Sequence, residues 1–250
     1  MLFYFSATGN TLHVVDRIKQ PGEQVISIED ALKEDIYTYE LSDDRLGILT
    51  PTYDFVLPSI VEEFLKKLEL HFTQKPYAFY VGTYGTTTGA AATVTNKILK
   101  SKGLALDAQF DIQMPDTWTV LFDLSDKAKV ERIKANAERE ITELEQQLAN
   151  KVTGRHLGLT APAFTGAIGK GIYDHKVRKT KKLSASKSCI GCGLCAKRCP
   201  MQAIEMRDKR PLWTKEQCAM CLRCLHLCPK HAIYYGNGKA TNAHGQYIYR

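Results

Sequence analysis

The sequence predicts an α/β protein, with a doubly wound, five-stranded parallel sheet over residues 1–151 and a small α+β domain over residues 184–250. Apolar strand-like runs alternate with amphipathic helical patterns through the first domain, as in parallel sheets whose two faces are covered by helices. All eight cysteines lie in the second domain, in two copies of one spacing. A basic segment over residues 152–183 connects the two domains.

The elements of the first domain are predicted from the period of their hydrophobic residues. Pro58 precedes one helix and Gly103 follows another, at positions where these residues start and stop helices. The last helix places apolar residues such as Val130 and Ile141 on one side and is charged elsewhere. The strands are expected at residues 2–5, 24–28, 45–50, 77–82 and 104–113, and the helices at residues 12–19, 59–70, 90–102 and 125–151.

Composition narrows the class of protein. Hydrophobic residues make up 44% of the chain, yet no apolar run reaches the ~18 residues that a membrane-spanning helix needs. The apolar start, MLFYF, has no basic region or cleavage site and is interpreted as a buried strand, not a signal peptide. Because the first 188 residues contain no cysteine, a secreted disulfide framework is disfavoured and a reducing, cytoplasmic setting is expected.

Charge is divided unevenly along the chain. Residues 1–150 carry 15 Lys or Arg and 23 Asp or Glu, a balance of −8, whereas residues 151–250 carry 19 and 4, a balance of +15. A basic domain of this kind can bind nucleic acid, but no nucleic-acid motif accompanies the charge. A negatively charged protein partner, or the acidic half of the chain itself, is the simpler explanation.

The cysteine repeat is the most specific motif in the chain. Each copy reads C-x2-C-x2-C-x3-C-P with a period of 29 residues, the spacing of two-cluster iron–sulfur domains in which the fourth cysteine binds the other cluster. Zinc, the alternative for C-x2-C pairs, requires a longer gap between the pairs. The first cluster is therefore assigned to Cys189, Cys192, Cys195 and Cys228, and the second to Cys199, Cys218, Cys221 and Cys224.

Two further features of the repeat concern its turns and its charges. Gly191 and Gly193 permit a sharp turn between cysteines and let backbone N–H groups approach the sulfurs. Arg223 and His226 lie inside the second copy, where a cationic donor would tend to raise the potential of a cluster. The simpler expectation, which we adopt, places both side chains at solvent-facing helix positions.

The first strand runs into a hydroxyl-rich loop, residues 6–11, that precedes a helix. Backbone N–H groups at a helix start, together with neighbouring hydroxyl groups, form a cradle for phosphate. The loop has neither the lysine of a Walker motif nor a G-x-G-x-x-G turn, so the monophosphate of FMN is the expected ligand. The predicted cofactor contacts in this loop are Ser6, Thr8, Gly9, Asn10 and Thr11.

Two more loops follow strands at the same edge of the sheet, where ligands bind in doubly wound folds. Each offers one aromatic ring, Tyr53 or Tyr84, for stacking on an isoalloxazine, and small residues whose backbone can approach the flavin edge. Trp118, after the fifth strand, is expected either to cover the flavin or to pack between the domains. The predicted cofactor contacts in these two loops are Pro51, Thr52, Tyr53, Gly82, Thr83, Tyr84 and Gly85.

Through the S-A-T-G-N-T loop and the cysteine repeat, the chain resembles the fused flavodoxin–ferredoxin proteins of anaerobic bacteria and archaea. These are iron–sulfur flavoproteins, and the resemblance implies a flavodoxin-like domain with FMN and a ferredoxin-like domain with two [4Fe–4S] clusters. The loop of Pro51 and Tyr53 is shorter than in many flavodoxins, which implies a more open flavin face. The resemblance implies no substrate.

Three functions are compatible with the sequence. The preferred one is an electron-transfer protein that passes electrons between FMN and a redox partner with an acidic docking surface, through the clusters. The alternative is a flavin-dependent reductase of a small acceptor, such as a quinone, an unsaturated compound or oxygen. The third is a binding module that has lost its flavin. Whether the chain is an enzyme, and whether it forms a homodimer, stays open at this point.

Overall fold

The computed structural model describes residues 1–158, 163–237 and 243–249. Its first domain alternates strands and helices. The strands are β1 (Leu2–Tyr4), β2 (Val25–Ser27), β3 (Thr38–Glu40), β4 (Arg45–Pro51), β5 (Glu69–His71), β6 (Tyr77–Tyr84), β7 (Ala108–Gln113) and β8 (Gly154–His156). The helices are α1 (Asn10–Ile18), α2 (Ile28–Lys33), α3 (Ser59–Lys67), α4 (Ala91–Lys100) and α5 (Lys127–Ala149).

Six of these strands form one parallel sheet, in the order β2-β1-β4-β6-β7-β8. The predicted doubly wound parallel sheet is confirmed, and it has one strand more than the five predicted. The additional edge strand, β8, lies within the segment assigned to the domain connection and pairs with β7, with Gly154 opposite Ala108. The order reverses at β1, so the topological switch point, where such folds bind ligands, lies between β1 and β4.

The central strands β4 and β6 are buried along almost their whole length. Alternate residues of a strand face opposite sides of the sheet. Phe79 and Val81 of β6 accordingly join the core formed with α1 and α5, whereas Tyr80 joins the core formed with α3 and α4. Two apolar cores hold the sheet rigid, and the loops at its carboxyl edge are therefore fixed in position.

The rest of the described chain consists of short elements. The connecting segment contains α6 (Ala163–Ile172), a π-helical turn (Tyr173–Val177) and a 3₁₀ turn (Thr180–Lys182), and the small second domain contains β9 (Leu183–Ala185), α7 (Leu194–Lys197), β10 (Ile204–Arg207), β11 (Arg210–Trp213), α8 (Arg223–His226) and β12 (Ile233–Tyr235). β10 pairs with β11 and β12 with β9, both antiparallel. In the described part of the chain, no helix combines the length and the apolar character of a membrane span.

The second domain lies over the carboxyl edge of the parallel sheet. Ala219 of the second domain belongs to an apolar core of the first, while Trp118 of the first domain packs against the core of the second. The hydroxyl of Tyr173, a residue that is 1% exposed, donates to the Ala219 carbonyl oxygen at 2.8 Å. The switch point of the sheet is therefore covered by the cysteine-rich domain.

Candidate cofactor sites

A cavity of about 280 Å³ lies between the carboxyl edge of the sheet and the second domain. Loops after β1, β4, β6 and β7 form one wall, and residues of the second domain form the other. The structure brings ten of the twelve predicted cofactor residues to this cavity. They are Ser6, Thr8, Asn10, Thr11, Pro51, Thr52, Tyr53, Thr83, Tyr84 and Gly85.

The two remaining glycines act as spacers beside the cavity. Gly9 has a left-handed backbone, with φ 98°, and an added Cβ there would lie 2.9 Å from the Cβ of Tyr249. Gly82 lies inside β6, where an added Cβ would lie 3.0 Å from the Tyr80 ring. Both positions thus permit close approach of neighbouring groups without themselves lining the cavity.

The loop of residues 6–11 is tied to both neighbouring loops. The hydroxyl groups of Thr11 and Thr83 share a hydrogen bond of 2.7 Å, and Nδ2 of Asn10 donates to the Pro115 carbonyl oxygen at 3.1 Å. Oγ of Ser6 accepts the Leu12 N–H at 3.1 Å, so this hydroxyl caps the helix. These bonds hold the start of α1 with its N–H groups at the cavity.

Buried polar atoms without a hydrogen-bond partner indicate that this cavity is a ligand site. Among the described residues, Oδ1 of Asn10 and Oδ2 of Asp54 are buried with no hydrogen-bond partner, and both residues line the cavity. A buried polar atom that stays unpaired costs about 1–3 kcal/mol. A polar ligand with donor groups, such as the ribityl chain or ring N–H of FMN, would satisfy them, and the residues present therefore fit this cofactor.

Burial raises the pKa of two carboxyl groups at this end of the sheet, that of Asp116 in the cavity wall and that of Asp111 in β7, outside the cavity lining. Burial raises the pKa of Asp116, although its carboxylate accepts hydrogen bonds from Trp118 N and the Thr86 hydroxyl. Burial and the nearby charge of Glu140 raise the pKa of Asp111 to about 6, although the Gly158 N–H stabilises its carboxylate.

The eight cysteines surround two small cavities. Cys189, Cys192, Cys195 and Cys228 line one of them, and Cys199, Cys218, Cys221 and Cys224 line the other. Within the described residues, no three ligating side chains converge tightly enough to hold a single metal ion. The sulfurs are instead distributed over the walls of each cavity, as a multi-iron cluster requires.

The surroundings of the sulfurs fit bound iron. Backbone N–H groups of Ala203, Met220 and Ala232 donate to the sulfurs of Cys199, Cys218 and Cys228 at 3.2–3.3 Å. Such N–H···S bonds stabilise thiolates and tune clusters. Burial raises the pKa of Cys218 to about 12 and that of Cys221 to about 11. Only a strong local positive charge, such as iron, would keep these thiols ionised at neutral pH.

The two copies of the repeat have the same backbone conformation at two positions where their residues differ. Gly191 and Gly193 have φ of 69° and 74°, and the residues 29 positions later, Met220 and Leu222, have φ of 49° and 54°. A non-glycine residue in this conformation costs roughly 1–2 kcal/mol. The side chains of Met220 and Leu222 are almost fully buried, and they line both the second cysteine cavity and the large cavity.

Cys221 lies between these two residues and also lines both cavities. Tyr53 lines the large cavity from the first domain, and Tyr53 and Cys221 pack against the same apolar core. A side chain of the proposed second cluster site is thus part of the wall of the proposed flavin site.

Arg223 and His226 are buried between the domains, so the expectation that they face solvent was wrong. They are 8% and 4% exposed. Arg223 donates to the carbonyl oxygens of Ser6 at 2.5 Å and Ala7 at 2.9 Å, and its Nη2 lies 2.6 Å from the Glu29 carboxylate. The guanidinium therefore connects α8 with the loop of residues 6–11, which we call the phosphate-type loop. The sequence did not reveal the burial of Arg223, because its hydrogen-bond partners in the first domain lie about 200 residues away in sequence.

His226 makes a second contact between the domains. Its Nε2 donates to the Thr117 carbonyl oxygen at 2.8 Å, and its Nδ1 accepts the Tyr247 N–H at 3.2 Å. Burial lowers the pKa of this imidazole to about 4, so the ring is neutral at physiological pH. Trp118 lies nearby, lines the cavity and packs edge-on to Tyr235 at 5.5 Å. Both roles expected for Trp118, at the cavity and between the domains, are therefore compatible.

The tail of residues 244–249 contacts both domains. The Tyr249 N–H donates to the Thr8 carbonyl oxygen at 2.8 Å, and its ring stacks on His13 at 4.2 Å. Nε2 of Gln246 donates to the carbonyl oxygens of Leu225 and Cys228. The tail thus fastens the phosphate-type loop to the segment that carries the last cysteine.

Comparison with known families and structures agrees with this architecture. A flavodoxin domain model matches residues 1–143, and a 4Fe-4S dicluster domain model matches residues 188–233. Comparison with curated proteins gave no match. Among solved structures, the flavodoxin of Streptococcus pneumonia TIGR4 is 20% identical over 57% of this chain and 97% of its own, with a TM-score of 0.32.

Two other solved structures are similar at the same level. The two-electron reduced flavodoxin of Megasphaera elsdenii is 21% identical over 57% of this chain and 99% of its own, with a TM-score of 0.33. The rubredoxin oxygen:oxidoreductase of Desulfovibrio gigas is 16% identical over 59% of this chain, with a TM-score of 0.34, and the match spans 36% of its length. At these TM-scores, the activities of the similar proteins are not assigned to this chain.

The family models carry the assignment. The flavodoxin model covers more than half of the chain, and flavodoxin domains bind FMN; the second model describes a domain type that holds 4Fe–4S clusters. Both coincide with the two domains seen in the structure. The chain therefore belongs to the flavodoxin family, as a flavodoxin–ferredoxin fusion.

Proposed function

We propose that this protein is an electron-transfer iron–sulfur flavoprotein that passes electrons between a redox partner and FMN through two [4Fe–4S] clusters. One observation carries the proposal: Cys221 lines both the second cysteine cavity and the large cavity of the flavodoxin domain. A ligand of one redox centre would thereby touch the site of the next. Each cluster exchanges one electron, and FMN exchanges one or two, so the two cofactor types can operate in series.

The residues that would hold each cofactor follow from the cavities. The start of α1 and the hydroxyl of Thr8 would bind the phosphate, and Tyr53 and Tyr84 would flank the ring system. The proposed ligands of the first cluster are Cys189, Cys192, Cys195 and Cys228, and those of the second are Cys199, Cys218, Cys221 and Cys224. Cys192 is exposed to solvent, which favours a reducing cytoplasm as the setting.

The chain's own groups organise the contact between the cofactor sites. Met220 and Leu222 exclude water from the space between the second cysteine cavity and the flavin cavity, because both are almost fully buried. Arg223 holds the loop of residues 6–11 against α8. Fusion of the two domains replaces a diffusional encounter with an intramolecular one.

The proposal is tested on protein purified without oxygen. Iron, sulfide and flavin should be present at about eight, eight and one per chain. After rapid mixing with a one-electron reductant, bleaching of the cluster absorbance should precede or accompany that of the flavin. The variant Cys221→Ser should retain FMN but lose rapid flavin reduction by a protein donor. Flavin reduction that is equally fast in this variant would overturn the route.

A second candidate, reduction of a small acceptor at the flavin, is favoured by one observation. The large cavity has an apolar mouth, where Leu121 is 71% exposed and Phe55 is 39% exposed. A planar apolar acceptor, such as a quinone, could reach the cavity there. Steady-state turnover of a soluble quinone with reduced ferredoxin as electron donor, above the rate without the protein, would support this function, provided that a Leu121→Asp variant loses turnover and keeps its FMN.

A further inference from the structure

The face of the second cysteine loop that meets the flavodoxin domain has an uncovered counterpart on the first loop. Residues 190–193 correspond to residues 219–222 at the period of the repeat. In the second copy, Ala219 is 1% exposed and belongs to a core of the flavodoxin domain. In the first copy, the equivalent Ile190 is 58% exposed, and Cys192 is exposed as well. One face of a duplicated unit is therefore occupied, and its twin is free.

Three exposed lysines adjoin this free face. Lys230 lines the first cysteine cavity together with Ile190 and Cys192. The Cβ of Lys209 lies 2.8 Å from the Cβ position of Gly191. Lys197 occupies the place that His226 takes in the second copy, where that side chain contacts the flavodoxin domain. Among the described residues, none of the three lysines forms an ion pair with a carboxylate.

Positive charge predominates in the domain that carries this face. Residues 184–236 contain nine Lys or Arg and three Asp or Glu. Of the three acidic residues, Glu205 is already paired with Arg207, and Asp208 is the carboxylate next in sequence to Lys209. An exposed isoleucine surrounded by cations has the make-up of a docking site, with an apolar centre and a charged rim.

The occupied face indicates what fits the free one. It is covered by a domain with a balance of −8, and Arg223 forms a buried ion pair there with Glu29. Because the two faces are related by the repeat, a partner of the same character is expected on both.

We propose that the face formed by Ile190, Cys192, Lys197, Lys209 and Lys230, the entry face, docks an acidic one-electron carrier protein. This rests on the proposed function. One electron leaves the reduced centre of the carrier, which is oxidised, and one electron arrives at the first cluster site. No bond forms or breaks, and no proton is required. Since exchange is reversible, the same face would serve an oxidised carrier that removes electrons.

The test measures binding and electron entry separately. The probe is a plant-type [2Fe–2S] ferredoxin of net negative charge, used oxidised for binding and reduced for electron transfer. The entry-face variant carries Lys197→Glu and Lys209→Glu. Its matched control carries Lys97→Glu and Lys100→Glu on α4; both lysines are exposed on the flavodoxin domain.

The wild type and the control should bind the oxidised probe, more weakly by about tenfold or more when salt rises from ~20 to ~200 mM. The entry-face variant should lose at least tenfold in affinity at low salt and lose the salt dependence. Its iron and flavin content and its final spectrum with dithionite should equal those of the wild type.

Two results overturn the proposal: no binding of the probe by the wild type at low salt, or equal affinity of the entry-face and control variants. Failure of the proposed function has a different signature. The reduced probe would then bind and reduce the cysteine-bound iron of the wild type while the flavin stays oxidised.

Discussion

Gly191 and Met220 occupy the same position in the two cysteine repeats and share a left-handed backbone, with φ of 69° and 49°. Glycine adopts this conformation without cost, whereas methionine does so under strain. The strained residue is the one whose side chain lines the cavity of the flavodoxin domain. The backbone at Met220 is thus strained, while its side chain forms an apolar wall between the two proposed redox sites. Backbone strain of this kind is found at functional positions in other proteins.

A first prediction concerns Met220, where a glycine variant should be more stable than an alanine variant, the reverse of the usual order of stability. Met220→Ala and Met220→Gly both remove the buried side chain, but only glycine relieves the strain. Met220→Gly should therefore be more stable than Met220→Ala by about 1 kcal/mol. At Leu225, a buried residue of α8, the glycine variant should be the less stable one. Thermal unfolding of the four variants decides this, and both Met220 variants should bind FMN more weakly than the wild type.

A second prediction concerns the buried cation between the domains. Arg223→Met removes the bonds to Ser6, Ala7, Arg198 and Glu29. Among the described residues, the Glu29 carboxylate then keeps one ion pair, with Lys33 at 3.4 Å. Breaking a buried ion pair typically costs about 3–5 kcal/mol, and we expect the lower end of this range. FMN affinity should fall too, because the loop of residues 6–11 loses its anchor.

Two controls test whether the effect of Arg223→Met comes from its ion pair with Glu29. Arg198→Met removes an exposed arginine of the same domain and should change stability by less than about 0.5 kcal/mol. Adding Glu29→Gln to Arg223→Met should recover part of the loss, since no unpaired charge then remains. A double variant no more stable than Arg223→Met would show that the ion pair is not what stabilises the interface.

A third prediction compares two glycines with left-handed backbones. Gly9 and Gly22 have φ of 98° and 78°, but an added Cβ meets Tyr249 only at Gly9 and nothing within 4 Å at Gly22. Gly22→Ala should show the backbone strain alone, roughly 1 kcal/mol. Gly9→Ala should cost about 1–3 kcal/mol more, because it displaces the tail. Equal melting temperatures for the two variants would contradict the packing of Tyr249 on this loop.

A fourth prediction concerns pH. The pKa of Asp111 is raised from 3.8 to about 6 by burial, so the folded state binds its proton more tightly than the unfolded state. The stability cost of this carboxylate is absent below about pH 4, grows between pH 4 and 6 and is constant above. Asp111→Asn should thus stabilise the protein at pH 7.5, by about 1–2 kcal/mol after allowance for solvent screening.

The comparison is made by chemical denaturation of the wild type and Asp111→Asn at several pH values. The difference between their free energies of unfolding should rise through the acidic range and then level off. A difference that does not vary with pH would mean that the carboxyl group of Asp111 does not carry the effect.

The sequence predicted the parallel sheet because its central strands are continuously apolar. It missed β8, since Gly154, Arg155 and His156 are exposed and have no hydrophobic pattern. The phosphate-type loop could be predicted because its signal is local: a strand, hydroxyl residues and a helix start within a few positions. The grouping of the cysteines, assigned from their spacing, stays a proposal supported by the two cavities.

The contacts between the domains could not be predicted in this way. Arg223 looks like an ordinary helix surface residue, because nothing near it in sequence reveals the carbonyl groups of Ser6 and Ala7. One signal was present nevertheless. Position by position, the second repeat replaces Gly191, Gly193 and Leu194 with Met220, Leu222 and Arg223. A repeat that retains its ligands while changing the residues between them has acquired different neighbours in its two halves.

The hydrogen bond between Thr8 and Tyr249 also has a consequence for the order of folding. These residues are 241 positions apart, from 8 to 249, and a contact of such long range forms slowly. During synthesis, residue 8 leaves the ribosome long before residue 249, so the flavodoxin sheet can fold while its phosphate-type loop still lacks the tail. We therefore expect the tail to dock on this loop late, after synthesis of the cysteine-rich domain.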